Sequence, residues 1–349
     1  MDVFTGVMFH AIGASSAALC YTPQRQVKRW SWQTYWLAQA FVCWLLLPIV
    51  IAWLTIPQLM QVLKEAPAPV MLKTFLMGAA YGIGGTAFGI AIRYVGFSLT
   101  YAISVGISCV LGTLLPPFVQ GQLETVMQQH GAQWLAYGIT LGALGIILCG
   151  VAGRWKEKQL LKNNNSASFS LAKGLPICIL SGILSAVYGF SISEGQPIAD
   201  IAARYGAGNF QGNVIYIFSN SGAFLSTMIY CFYLHVKGKT FKEYASTGFD
   251  NTKPKLSNNY LLAALTGILW YGQFFFYGLG HVRMGTYKFS SWAIHMIMLV
   301  LFSALAGILL KEWIRINAAT TRLLAIALVV LIGAVVLLTY GNYLGASNL

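Results

Sequence analysis

Charge is what this chain has least of. Only 9% of its 349 residues are Asp, Glu, Lys or Arg, against roughly a quarter in an average soluble domain, too few to coat a water-soluble particle. Acids are the scarcer kind, 9 against 22 Lys and Arg. None lies deep in an apolar stretch: Glu194 closes one, and Glu312 follows another beside Lys311. That removes the clustered carboxylates which intramembrane metal or lipid chemistry needs. A phosphate-binding glycine loop ending in Lys-Ser/Thr, a serine nucleophile elbow and an HExxH helix are all missing. This chain alone therefore does not pump with ATP, and the common hydrolases are excluded. The six cysteines show no CxxC spacing and read as small buried hydrophobes, with no metal or cofactor expected. The longest polar connections, 154–173 and 237–255, hold about 20 residues each, which leaves no room for a soluble catalytic domain.

What is present is apolar, 57% of the chain. Ten charge-free windows run over 3–24, 30–63, 74–92, 94–123, 125–153, 174–193, 205–236, 256–282, 289–310 and 323–349. Crossing about 30 Å of hydrocarbon takes about 20 helical residues, and lipid cannot satisfy an open backbone, so each window is expected to be a helix. The fold class is an all-α polytopic membrane protein with ten transmembrane helices. The first window reads as a retained span, because only Met1 and Asp2 precede it, with no positive leader region.

The formal charge of +13 would suit nucleic acid if gathered on one face, but it is distributed by connection. The connections after spans 1, 3, 5, 7 and 9 hold 17 of the 22 Lys and Arg, and those after spans 2, 4, 6 and 8 hold 5. Cytoplasmic loops carry the Lys/Arg excess. The odd connections are thus expected inside and both termini outside, with no nucleic-acid partner.

An internal echo appears at a constant offset of 189. Gly78, Gly89 and Gly96 in GAAYGIGGTAFGIAIRYVG match Gly267, Gly278 and Gly285 in GILWYGQFFFYGLGHVRMG, and Tyr81 and Phe88 match Trp270 and Tyr277. A weaker echo joins Gly13, Ser16 and Ala17 to Gly182, Ser185 and Ala186. The reading is two five-helix repeats, 1–153 and 174–349, joined by a polar cytoplasmic linker at 154–173. Five spans per half would make the repeats inverted. The same glycines also serve ordinary close helix packing.

Polar residues at depth carry the functional reading, since ionisable groups in spans are expensive and tend to face a cavity. Gln39 reads as an amide bonding a neighbouring helix. Gln273 sits among Trp270, Tyr271, Phe274 and Tyr277, and serves either as such an amide or as the polar point in an aromatic wall for a small polar ligand, sugar included. His10 and His295 are the best-placed proton carriers, because imidazole changes charge near physiological pH; the alternative for each is a neutral interhelical hydrogen bond. Glu194 is a boundary candidate for the proton. The segment SISEGQPIADIAARYGAG, with Gly195 and Pro197 breaking the helix, is either an outer vestibule cap or a solvated loop.

Three stretches, FHAIGASSAALCYTPQRQVKRWSWQTYW, LTGILWYGQFFFYGLGH and SSWAIHMIMLVLFSALAGILLKEW, resemble the bacterial L-rhamnose/proton symporter family of the drug/metabolite transporter superfamily. The resemblance implies two inverted five-helix halves in the bacterial inner membrane, with both termini periplasmic, and import of L-rhamnose with protons by alternating access. It maps the family's histidines onto His10, His281 and His295 and its glutamine onto Gln273. Sugar contact is then expected from Gln273, Trp270, Tyr271, Tyr277, Trp292 and His281, and proton coupling from His10, His295 and Glu194. The chain departs from the family pattern at Gly85 and Ala87, where asparagines are expected, and at Ser193 and Gln196, where an asparagine and lysine pattern is. Those departures point to a related deoxyhexose or pentose as a second substrate candidate. The rival readings are an exporter or exchanger of other small metabolites and, in another class, an intramembrane lipid enzyme.

Overall fold

The computed structural model describes residues 3–161, 170–245, 256–314 and 316–346. The middle of the expected linker, 162–169, lies outside the described residues. Ten long helices form, one per window: spans 1 Val3–Leu19, 2 Trp32–Thr55, 3 Ala68–Val95, 4 Phe97–Val119, 5 Ala132–Leu161, 6 Leu171–Glu194, 7 Asn213–Gly238, 8 Leu256–His281, 9 Ser290–Leu309 and 10 Ala318–Ala346. Every one is long and apolar enough to cross a bilayer. Among the described residues there is no β-strand, as expected where hydrocarbon leaves the backbone only its own carbonyls.

Charge-free windows overestimate helix length where a local breaker intervenes. Span 2 stops at Thr55 because Pro57 cannot donate to the helix; Gln58 then turns left-handed, at φ 51°, before a short helix Leu59–Glu65. Span 7 starts at Asn213, after a turn in which Gly206 and Gly208 take positive φ. Inside span 2, residues 41–46 form a π-helical turn in which the Leu47 amide bonds the Val42 carbonyl. Pro48, at the start of the following α-helical stretch, lacks an N–H and forces this slip of register. Between spans 6 and 7 the helix does break at Gly195. A short helix Gln196–Arg204 follows with Pro197 in its first turn and with Ile198, Ala199, Ile201 and Ala202 buried.

The helices pack in pairs. Span 3 lies along spans 6 and 7, span 8 along spans 1 and 2, span 4 along 5 and 6, span 9 along 10 and 1, and span 5 along span 10. Small residues set these distances. A Cβ on Gly78 would stand 1.9 Å from the Ser219 carbonyl oxygen, and one on Gly222 would stand 2.0 Å from that of Phe75, so spans 3 and 7 touch backbone to backbone. All six cysteines are free and five are buried.

The few acids pin the helix ends. Gly96, at φ +82°, turns span 3 directly into span 4, and a Cβ there would meet the Glu157 carboxylate at 2.3 Å. Glu157 accepts the Ser98 N–H at 3.0 Å, placing a negative charge where the span 4 dipole is positive. Glu243 does the same for span 2, accepting from the Ser31 N–H at 2.7 Å and the Thr34 hydroxyl at 2.5 Å. Glu312 joins three segments, 2.6 Å from Arg25 and 2.9 Å from Lys156. Burial alone would raise its pKa, but the hydrogen bonds and charges of Lys156 and Arg25 outweigh this and hold it below the usual carboxylate range.

A carboxylate whose folded pKa is depressed adds stability above its unfolded pKa and loses it as pH falls through the folded value. Glu312→Gln is therefore expected to cost on the order of 1 kcal/mol at neutral pH. In thermal unfolding of detergent-solubilised protein, the gap between wild type and variant should close on acidification below the ordinary carboxylate range.

Candidate functional site

Spans 1, 2, 3, 4, 6, 8 and 9 surround a central cavity of about 890 Å³, its mouth included. It reaches from Cys20, Tyr21, Trp36 and Tyr101, at the ends of spans that carry the Lys/Arg-rich connections, to Ile192, Tyr277 and Trp292 in the opposite half. Among the described residues its walls contain no Asp, Glu, Lys or Arg. Instead they combine aromatic rings with the neutral polar groups of Ser104, Ser181, Ser185, Gln273 and His295. Ring walls offer apolar faces to C–H groups while hydroxyls and an amide supply direction. A neutral, hydroxylated ligand fits such a lining; a charged one would meet no counter-charge there.

Trp270 organises the floor, with Trp36, Trp44 and Tyr21 at centroid distances of 5.4, 5.4 and 5.5 Å. The indole nitrogens of Trp36, Trp44 and Trp270 and both amide atoms of Gln39 are buried without a hydrogen-bond partner. Gln39 thus does not make the interhelical bond expected from its sequence. Its backbone carbonyl lies against Gly267 of span 8, where a Cβ would stand 2.9 Å away, and a π-turn begins two residues later. Trp292 is fixed more tightly. Its N–H donates to the Ser108 carbonyl at 2.9 Å, and its ring fills the space left by Gly112 and Gly189, where a Cβ would stand 2.4 and 2.9 Å away. It can offer the cavity a ring face but not its N–H.

The histidines gather about one tyrosine. Tyr277 stands 5.2 Å from His10, 5.4 Å from His295 and 5.6 Å from His281, centroid to centroid, and His10 stands 5.9 Å from His295. Three helices contribute: span 1 His10, span 8 Tyr277 and His281, span 9 His295. His295 is in the cavity wall; His10 lies behind it, fully buried, with neither ring nitrogen paired. Two glycines make the room. A Cβ on Gly280 would be 2.8 Å from His10 Nε2, and one on Gly13 would be 3.3 Å from His295 Cε1. Among the described residues no group of three His, Cys, Asp or Glu is arranged to hold a metal; these rings surround a phenol ring rather than a void.

Of the residues singled out from sequence, Trp270, Gln273, Tyr277, Trp292 and His295 line the cavity. Tyr271 is buried on another face of span 8, its hydroxyl unpaired, and His281 lies one turn beyond Tyr277 at the helix end, outside the lining. Glu194 is remote from charge inside the bundle and pairs with Lys73 of span 3 at 2.6 Å. Sequence reasoning missed Trp36, Tyr81 and Tyr101 and the serines of spans 4 and 6. Ser181 and Ser185 carried a signal, since a four-residue spacing puts both on one helix face. Ser185 accepts from the Ser108 hydroxyl at 3.0 Å, tying those two spans together. Gly85, one of the departures noted above, lines the cavity with open space where a Cβ would project.

The family described as L-rhamnose-proton symport protein (RhaT) matches residues 1–346. A Klebsiella pneumoniae (strain 342) protein named L-rhamnose-proton symporter is 35% identical over 329 residues, covering 94% of each chain. A protein of the same name from Yersinia pestis (strain Pestoides F) is 33% identical over 346 residues, covering 98% of this chain and 97% of its own. One from Yersinia pseudotuberculosis serotype O:1b (strain IP 31758) gives the same figures.

The glycine contacts yield a paired test by thermal unfolding. Gly280→Ala drives a methyl into His10 and the Gly6 carbonyl, and the strain should destabilise by about 1–3 kcal/mol. Gly85→Ala meets nothing within 4 Å and should leave the unfolding midpoint unchanged or slightly raised.

Proposed function

Since the chain belongs to the L-rhamnose-proton symport protein family, we propose that it imports L-rhamnose together with protons across the bacterial inner membrane as a multi-pass secondary transporter. One observation carries the reading to these residues: a cavity with no charged wall residue has an imidazole, His295, in its lining and a second, His10, packed behind it. The neutral lining suits a sugar, whose C–H faces stack on Trp270, Tyr277 and Trp292 while its hydroxyls meet Gln273 and the wall serines. The imidazoles supply the titrating group that a neutral substrate and a carboxylate-free interior otherwise lack.

The two halves, 1–153 and 174–349, act as inverted five-helix repeats around this site, with 154–173 linking them on the cytoplasmic side. The packing supports that reading, because each pairing has a counterpart: span 3 on 6 answers span 8 on 1, and span 7 on 3 answers span 2 on 8. Both termini are periplasmic, by the Lys/Arg excess of the odd connections. With that orientation the cavity extends toward the cytoplasm, and the conformation is inward-facing. Its outer side is held shut by Lys73–Glu194, which joins span 3 to span 6, and by Glu65 with Arg204 and Tyr205. Glu194 therefore acts in proton coupling through this closure, since its protonation would release Lys73. Tyr271 supports the wall from behind. The open space at Gly85 favours a pocket that also accepts a related deoxyhexose or pentose.

Uptake of labelled L-rhamnose into cells should collapse with protonophore and follow an imposed pH gradient; a rate indifferent to both would reject symport. His295→Gln should abolish accumulation against a gradient while retaining sugar exchange, and unchanged accumulation would return His295 to a packing role. Lys73→Gln, measured by accessibility of an outer-side cysteine probe, should raise the outward-open population.

A further inference from the structure

His281, like His10, is absent from the cavity lining, and the coupling proposed above gives it no role. It ends span 8, half-buried, with Nδ1 unpaired. Its ring stacks on Tyr277 at 5.6 Å and 18°, one helical turn further from the cavity, at the end of the bundle that also carries Glu194 and Lys73. Gly280, beside it, is the residue against which His10 Nε2 packs. Three imidazoles therefore surround Tyr277: His281 at the half-buried end of span 8, fully buried His10, and His295 in the cavity wall, with His10 and His295 in contact with each other. Each flanks Tyr277, and His281, His10 and His295 all have at least one ring nitrogen unpaired. Unpaired buried imidazole nitrogens cost free energy in hydrocarbon, and this cost is repeated three times along one path. Helix packing needs none of them.

We infer that His281 is the outer entry of a proton relay, His281 to His10 to His295, which reaches the sugar cavity from behind its outer roof. This rests on the proton-coupled reading above. A proton from outer water binds one ring nitrogen of His281, which becomes imidazolium. His10 takes a proton from His281 at one nitrogen and gives one to His295 from the other, so His281 and His10 return to neutral. His295 imidazolium then faces the sugar and loses its proton to cytoplasmic water through the open cavity. One proton enters, one leaves, and no electron moves. His10 and His295 stand 5.9 Å apart, centroid to centroid, within a rotamer change of N–H···N contact; His281 and His10 pack on the same phenol ring at 5.6 and 5.2 Å, and the proton passes between them through a bridging water. The charged groups beside His281 are Arg283, whose guanidinium donates to the Leu279 carbonyl and covers Phe9, and Lys288, whose backbone hydrogen-bonds His281; Glu194 and Lys73, at the same end of the bundle, pair with each other. Within span 1 the only acid–base group of the pH 5–8 range is His10; on span 9 it is His295.

The test uses full-length protein in oriented proteoliposomes. His281→Gln and His281→Phe should keep sugar counterflow and rhamnose binding by thermal shift. Accumulation driven by a pH gradient, together with rhamnose-induced alkalinisation of the outer medium, should fall about tenfold or more. Retained counterflow certifies that the variants fold. Wild-type accumulation in both variants overturns the relay. Loss of counterflow and binding alongside accumulation, with the unfolding midpoint unchanged, overturns it too and returns His281 to sugar contact. Absence of alkalinisation in the wild type would instead sink the symport reading itself, so the two failures are distinguishable.

Discussion

The structure turns on imidazole held in hydrocarbon without a hydrogen-bond partner. His10 is fully buried with both ring nitrogens unpaired, edge-on to His295 and Tyr277. Water would satisfy those nitrogens and so would a helix carbonyl, yet the packing gives them aromatic edges. Much of the surrounding design follows from making that placement possible. Gly13 and Gly280 withdraw their side chains so that spans 1, 8 and 9 can close around the rings. Trp292, wedged over Gly112 and Gly189, roofs the cavity on the same side. His295 shares this assembly and also reaches the cavity wall, so the buried pair is joined to the space at the centre of the bundle.

Acid is scarce, and four of the nine carboxylates have distinct places. Glu157 and Glu243 neutralise the positive ends of spans 4 and 2, Glu312 binds Arg25 and Lys156, and Glu194 meets Lys73 on the opposite side. All of them stand at helix ends, where water screens the charge and desolvation is partial. The apolar interior thus keeps only neutral polar groups, and the cavity wall follows that rule throughout. The ion pairs Lys73–Glu194 and Arg25–Glu312 thus stand at opposite ends of the bundle, with the uncharged cavity between them.

How much of the site was legible varies with the kind of signal. His10 and His295 stand out in sequence because an ionisable group inside a charge-free window has no cheap explanation, and they do meet. Trp270, Gln273, Tyr277 and Trp292 share one aromatic-rich region or its partner helix and all reach the cavity. Tyr271 does not: next to Trp270 in sequence, it is turned by 100° of helix onto another face. Trp36 and Tyr81 carried no distinguishing mark, since the chain is 14% aromatic and lipid-facing rings look the same in sequence as cavity-facing ones. His281 also carried its mark, yet it lies outside the cavity lining and stacks on Tyr277, because a helix terminus gives no indication of which neighbour its last side chain will meet.

Sequence by itself determined the class of solvent, the number of spans and the side bearing the positive charge. Each follows from a local sum: hydrocarbon admits only long uncharged helices, and their ends are where Lys and Arg can stay wet. It also placed the helix break at Gly195 and Pro197, because a missing N–H acts within one turn, but it ran the second window through Pro57, where the helix stops. Tertiary structure alone decided which faces of those helices look inward, and so which of many aromatic residues wall the cavity. It alone brought residues 10, 277, 281 and 295 together. That assembly depends on how closely glycines let three helices approach, a property of pairs of surfaces that no single stretch of chain contains.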